Sequence, residues 1–260
     1  MILDKLFKKK SVANKKVIDV GWTLIDFPAS VIWSDPEPFT RNLPKSTTAK
    51  SVQVCPAALD FDAGYFVVKC PIDLHIRFVI DQNGRPIVQN VDGEKSSVRD
   101  HFLNQLLMVV SPNEWRHPER PIIQVVTPYV FLSDDPVYIN QFPPFLNYLP
   151  NQLPGLMISG RFPIDVWPRQ MTWAFEWYDT KKEINIKRGD PWFYVYFETT
   201  DPSRGVKLIE SVLTPEVKKY VASLAGVTNF VKQTYSLFAT ARQRRPSKLL
   251  VPKSTYSRDT

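Results

Sequence analysis

Between residues 73 and 80 the chain alternates: Leu74, Ile76 and Phe78 fall on one side, His75 and Arg77 on the other. A period of two marks a half-buried strand. Residues 87–91 form a second apolar run, reached across Asp81-Gln82-Asn83-Gly84. Asn-Gly between two such runs predicts a hairpin, because both residues tolerate positive φ. Short β-rich runs are also predicted at 51–55 and 65–70, each closed by a Cys-Pro pair, and at 122–132, bent at Pro128. Three more follow at 170–177, 183–187 and 192–198. In the last of these Trp192, Tyr194 and Tyr196 share one face, and Phe193, Val195 and Phe197 the other. A strand aromatic on both faces is expected at the centre of a sheet covered on both sides.

Two segments carry the helical period instead. Residues 100–110 place Phe102, Leu103, Leu106, Leu107 and Val110 on one face, and Pro112 ends the pattern. Thr214-Pro215-Glu216 is a helix start, with threonine as N-cap, proline in the first turn and an acid beside the positive end of the dipole. The stripe Val217, Tyr220, Val221, Leu224, Val227, Val231, Tyr235 and Phe238 extends that helix to about residue 241, weakened near Gly226. The proline-rich stretches 34–50 and 134–155 are predicted as loops. Residues 17–32 read as apolar runs broken at Pro28.

The composition fits this pattern: twenty-three prolines against nine glycines oppose a helical bundle. The predicted fold class is mainly β, a β-sandwich or jelly-roll body with one internal helix and a C-terminal helical appendage. It divides into a basic N-terminal arm (1–16), a β-sandwich domain (17–213), a C-terminal helix (214–241) and a basic tail (242–260). The net charge of +7 resides in the two ends, each about +5, which leaves the body about −3. A folded nucleic-acid reader carries its basic patch on the domain. The tails therefore read as solvated, with tethering to nucleic acid or another acidic partner as the sharper alternative. No apolar run reaches the length of a membrane span and the first ten residues lack a secretory pattern. With two cysteines, Cys55 and Cys70, the expected location is cytoplasmic.

Candidate chemistry is sparse. Of the three histidines, His117 stands in a His-Pro-Glu triplet, but no histidine follows it to complete an iron site. No metal and no cofactor is expected. Glycine-rich phosphate loops and a Gly-x-Ser-x-Gly elbow are absent. Both cysteines read as buried and inert. One dense constellation remains, at 161–198, where Arg161, Asp165, Trp167, Arg169 and Glu176 accompany Trp173, Trp177 and Trp192. It is either an aromatic core or a cleft whose rim residues meet a sugar-like or aromatic ligand. Core is expected for Trp173 and Trp192, and exposure for Trp167.

Four motifs carry a resemblance: Cys-Pro-x7-Gly from Cys55, Cys-Pro-x-Asp at 70–73, Trp-Pro-x-x-Met-Thr-Trp at 167–173, and Lys-Arg-Gly-Asp-Pro before an aromatic strand. Together they resemble an uncharacterised protein family of bacteria and viruses of marine cyanobacteria, over roughly residues 52–200. The resemblance implies an all-β domain and lends no activity or catalytic residue. A viral source implies a virion-associated protein or an accessory protein in the host cytoplasm. The expected function is binding or assembly without catalysis; the C-terminal helix is expected to pack on the sheet, with an arm that engages a homo-oligomer or virion partner as the alternative. An enzyme or small-ligand binder using the 161–198 cleft is the alternative.

Overall fold

Alternating apolar positions pair into three sheets. The computed structural model describes residues 17–27, 31–41, 51, 54–96, 98–147, 152–230 and 233–256. The largest sheet runs β14 (Val206–Glu210), β1 (Ile18–Leu24), β7 (Ile122–Leu132), β11 (Gln170–Trp177) and β9 (Gly155–Ile158), with β6 (Leu107–Val109) also paired to β7. β1 and β14 are parallel, and the other pairs in this sheet are antiparallel. The second sheet has the order β10 (Gly160–Pro163), β8 (Val137–Phe142), β13 (Pro191–Thr199), β3 (Tyr65–Lys69) and β2 (Glu37–Pro38). The third sheet sets β4 (Leu74–Ile80) between β12 (Ile184–Ile186) and β5 (Pro86–Asn90). The protein is mainly β with a sandwich-type body, as the sequence pattern predicts.

All three sheets turn apolar faces into one core. It takes Ile18, Val20 and Trp22 from β1, Ile123, Val125, Tyr129 and Phe131 from β7, and Trp173, Phe175 and Trp177 from β11. Opposite them stand Phe66 and Val68 of β3, Val137 and Ile139 of β8, and Phe193, Val195 and Phe197 of β13. β13 does lie between two neighbours with both faces buried. Its outer residue Tyr194 belongs to a separate cluster with Phe39, Tyr65 and Val67. The predicted hairpin joins β4 to β5, and Gly84 adopts φ +75°, a conformation that costs a glycine least. Near Pro128, which has no N–H to donate, the β7–β11 register shifts, and Thr127 Oγ1 donates to the Met171 carbonyl at 2.8 Å.

Local pattern misleads at several places. The predicted strand 51–55 is no strand where described: Val54 lies in a 3-10 turn, and Cys55 precedes helix α1 (Pro56–Asp62). Residues 52 and 53 lie outside the described set. The Cys-Pro pair that read as a strand end is instead a helix start, so the body holds a second internal helix. Helix α2 (Asp100–Leu106) is shorter than predicted because its last apolar residues leave it as β6, completing the sheet beside β7. Within the predicted loop 134–155, β8 runs between Pro136 and Pro143, which bracket it without interrupting its ladder. β14 has no forecast at all; its pairing with β1 supplies the order that its own short sequence lacks.

The C-terminal appendage forms two helices rather than one: α3 (Pro215–Phe230) and α4 (Thr234–Arg244). The predicted start holds, with the Val217 N–H donating to Thr214 Oγ1 at 3.3 Å. The apolar stripe packs against the protein's own body, the first of its two readings. Val217, Tyr220, Leu224 and Ala241 form one cluster with Leu132 of β7, Val166, Leu249 and Leu250. The tyrosine hydroxyl of Tyr220 lies within hydrogen-bond distance of the carbonyls of Val166 and Ala241 and can donate its one hydrogen to either.

The segment expected as a free basic tail from residue 242 also docks where it is described. Arg245 Nε donates to the Asp165 carbonyl, Leu249 N–H to Asp134 Oδ1 at 2.6 Å, and Val212 N–H to the Val251 carbonyl at 2.9 Å. Gly21 permits this approach: a Cβ there would lie 2.9 Å from Leu132 Cδ1, 3.0 Å from Ser211 Cβ and 3.3 Å from Leu250 Cδ1. Short helix α5 (Lys253–Tyr256) follows. The basic arm 1–16 lies outside the described residues. Among the described residues no helix is long and apolar enough to cross a membrane.

Candidate functional site

The constellation at 161–198 separates into five places. Trp173, Trp177 and Trp192 are at most 5% exposed and belong to the sandwich core. The reason is the strand period: β11 sends Trp173, Phe175 and Trp177 inward and Thr172, Ala174 and Glu176 outward. Glu176 is buried all the same and receives an N–H from Arg116, a partner the sequence reading missed. Arg161 lies on the other sheet. It holds Glu198 of β13 through Nε and Nη2 at 2.9 and 2.8 Å, and its guanidinium stands 3.7 Å from the centre of the Tyr138 ring. The hydrogen bond to Glu198 raises the Arg161 pKa and holds the Glu198 carboxyl below its ordinary value. Asp165 sits beneath the docked C-terminal segment, where burial pushes its carboxyl up against the opposing pull of Arg242 and Arg245.

Two of the five candidates do meet. Arg169 lies over the Trp167 ring, 5.2 Å from its centre, and donates to Thr172 Oγ1 at 2.9 Å and to the Gln170 carbonyl at 3.3 Å. No carboxylate pairs with it among the described residues, and burial lowers its pKa. Trp167 is half-buried between Phe162 and Phe238 of α4, and its indole N–H has no described acceptor. The exposure expected for Trp167 is thus reduced by α4, an element the local turn signal could not anticipate.

Metal and thiol chemistry find little purchase. Among the described residues no group of three or more His, Cys, Asp or Glu is arranged to hold a metal. Cys70 is buried, donates to the Ile72 carbonyl at 3.2 Å and has its thiol pushed up to about 12 by burial. Cys55 is exposed, contrary to expectation, because it caps a surface helix rather than ending a core strand.

A different feature stands out on the outer face of the five-stranded sheet. Tyr65 and Tyr194 lie buried beneath Phe142, Phe145 and Phe61, in an unbroken chain of ring contacts. Phe61 and Phe145 are 48% and 50% exposed and touch edge to face at 6.4 Å. Leu59 of α1, 51% exposed, and Val54 before the helix, 44% exposed, are further exposed apolar residues of the same segment as Phe61. Ion pairs border the aromatic face: Arg41 donates to both oxygens of Asp62, and Lys69 Nζ lies 2.7 Å from Glu37. Apolar centre and polar rim are the anatomy of a protein interface. A weak sequence signal existed in Ala57-Ala58-Leu59-Asp60-Phe61, whose apolar residues fit no single strand face. Comparison with family models, with curated proteins and with solved structures finds no match for the chain.

Proposed function

We propose that this protein works by binding or assembly, without catalysis, and that its contact surface is the aromatic face built on Phe61 and Phe145. The observation that carries this reading is the exposure of those two rings, which meet edge to face above Tyr65. Apolar surface gathered in one patch is costly in water and marks an interaction site more often than a fold requirement. The occupant is a second copy of the chain: an apolar patch bordered by both Arg41–Asp62 and Lys69–Glu37 offers charges of either sign to its own two-fold mate. The resemblance to proteins of bacteria and cyanobacterial viruses suits a virion-associated or accessory role in the host cytoplasm.

Sedimentation over a range of concentrations tests this. Wild type should associate, and the double variant Phe61→Asp/Phe145→Asp should stay monomeric with a melting temperature within about 3 °C of wild type. A monomeric wild type, or unchanged association of the folded variant, overturns the reading.

A second reading narrows the ligand alternative to Arg169 and Trp167, because that guanidinium has no carboxylate partner among the described residues and lies on an indole ring. The ligand it suits is a flat carboxylate. Quenching of tryptophan fluorescence by benzoate in wild type, lost in Arg169→Gln, supports it; no quenching in wild type removes it.

A further inference from the structure

The third sheet carries a cluster on its outer face that neither reading above uses. His75 stands on the central strand β4 with its side chain 22% exposed. Its Nδ1 lies 2.9 Å from Asp92 Oδ1 and its Nε2 lies 2.9 Å from Glu183 Oε2. Asp92 belongs to the turn that leaves β5, and Glu183 immediately precedes β12. One ring therefore joins the two strands that flank its own. An ionised carboxylate only accepts hydrogen bonds, so both contacts are satisfied when both ring nitrogens carry hydrogen. That is the imidazolium form. A neutral ring keeps one donor and turns a lone pair toward the other carboxylate.

We propose that His75 is a proton-dependent clasp on the three-stranded sheet: as imidazolium it ties β12 and the β5 exit turn to β4, and on losing its proton it lets β12 go. β12 yields first because it is the shorter of the two edge strands beside β4, three residues long against five in β5. Its inward side chains, Ile184 and Ile186, belong to the core cluster that holds Leu74, Ile76, Trp173 and Phe175. Loosening β12 thus reaches the sandwich core.

The other charges on this face act elsewhere. Arg77, next along β4, donates to Gln89 of β5 at 3.0 Å, and Asp73 accepts the Arg188 N–H at 2.9 Å. Uncharged Asn185 is the β12 residue paired with His75, and Lys187 lies beyond it. Asp92 and Glu183 are therefore the charges that act on the ring directly. Burial favours the neutral ring, but the hydrogen bonds to the two carboxylates outweigh it and raise the His75 pKa above 6.5. Because the folded value is the higher one, the clasp contributes fully below 6.5 and is lost as pH rises through the raised value.

Two measurements on the full chain test this. Imidazole NMR resonances should place the His75 titration above its ordinary value, and amide exchange, corrected for intrinsic rates, should show protection of residues 184–186 falling about fivefold from about pH 5.5 to about pH 8.5. In Glu183→Ala, an exposed and foldable change, protection should be low at both pH values. The proposal fails if His75 titrates at or below its ordinary value, if wild-type β12 is equally protected at both pH values, or if Glu183→Ala matches wild type at acid pH.

Discussion

Trp177 and Trp167 are close in sequence and opposite in setting, and the difference sets what each contributes. Trp177 is fully buried, and its indole N–H reaches the carbonyls of Asp179 and Lys182 at 3.0 and 3.2 Å. Trp177→Ala should cost about 3–5 kcal/mol, through the cavity and through two carbonyls left without their donor. Trp167 is half-buried with no such bond, and Trp167→Ala should cost about 1–2 kcal/mol. Urea denaturation of the two variants checks the ordering, which a larger loss for Trp167→Ala would reverse. The cysteines separate in the same way. A thiol-reactive probe at neutral pH should modify Cys55 quickly in the native protein and Cys70 only after denaturation, since the thiolate is the reactive form and burial holds the Cys70 thiol near 12.

At the scale of elements, the docked C-terminal segment is the feature that most changes the picture. Leu249 and Leu250 are buried in the cluster beneath α3 and α4, and Asp134 accepts their N–H groups at 2.6 and 3.4 Å. Removing residues 245–260 uncovers Leu132 and Val166 as well, so the melting temperature should drop by more than about 5 °C. Loss of less than about 2 °C would mean that these contacts add nothing to stability. Gly21→Ala addresses the same joint from the other side. A methyl group at Gly21 meets Leu132, Ser211 and Leu250, and the expected result is faster proteolysis after residue 244 with the β body intact. Equal cleavage rates in wild type and variant would show that the joint tolerates the methyl group.

For the whole molecule, the strand period, the Asn83-Gly84 turn and the Thr214-Pro215 helix start were readable because each is local: a few neighbouring residues set the backbone angles and the buried face. The β4–β5 hairpin, β11 and β13 follow from that alone. The candidate site was much less legible. Arg161 and Glu198 both occur in the segment read as a cleft, but their pairing depends on β10 and β13 each flanking β8, a long-range choice. Glu176 read as a rim acid and is a buried partner of Arg116, which approaches from 60 residues away in the chain. The basic tail carried the charge of a solvated segment, while its Leu249 and Leu250 found an apolar seat that β1, β7 and α3 create together. Phe61 and Phe145 had no forecast, and they stay at the surface because the sheet beneath them is already filled by Tyr65 and Tyr194. The sequence by itself determined which residues prefer strand, turn or helix and which face of each strand is apolar. Tertiary structure decided which apolar faces are covered and which charges are paired, because burial and ion pairing depend on residues far apart in the chain.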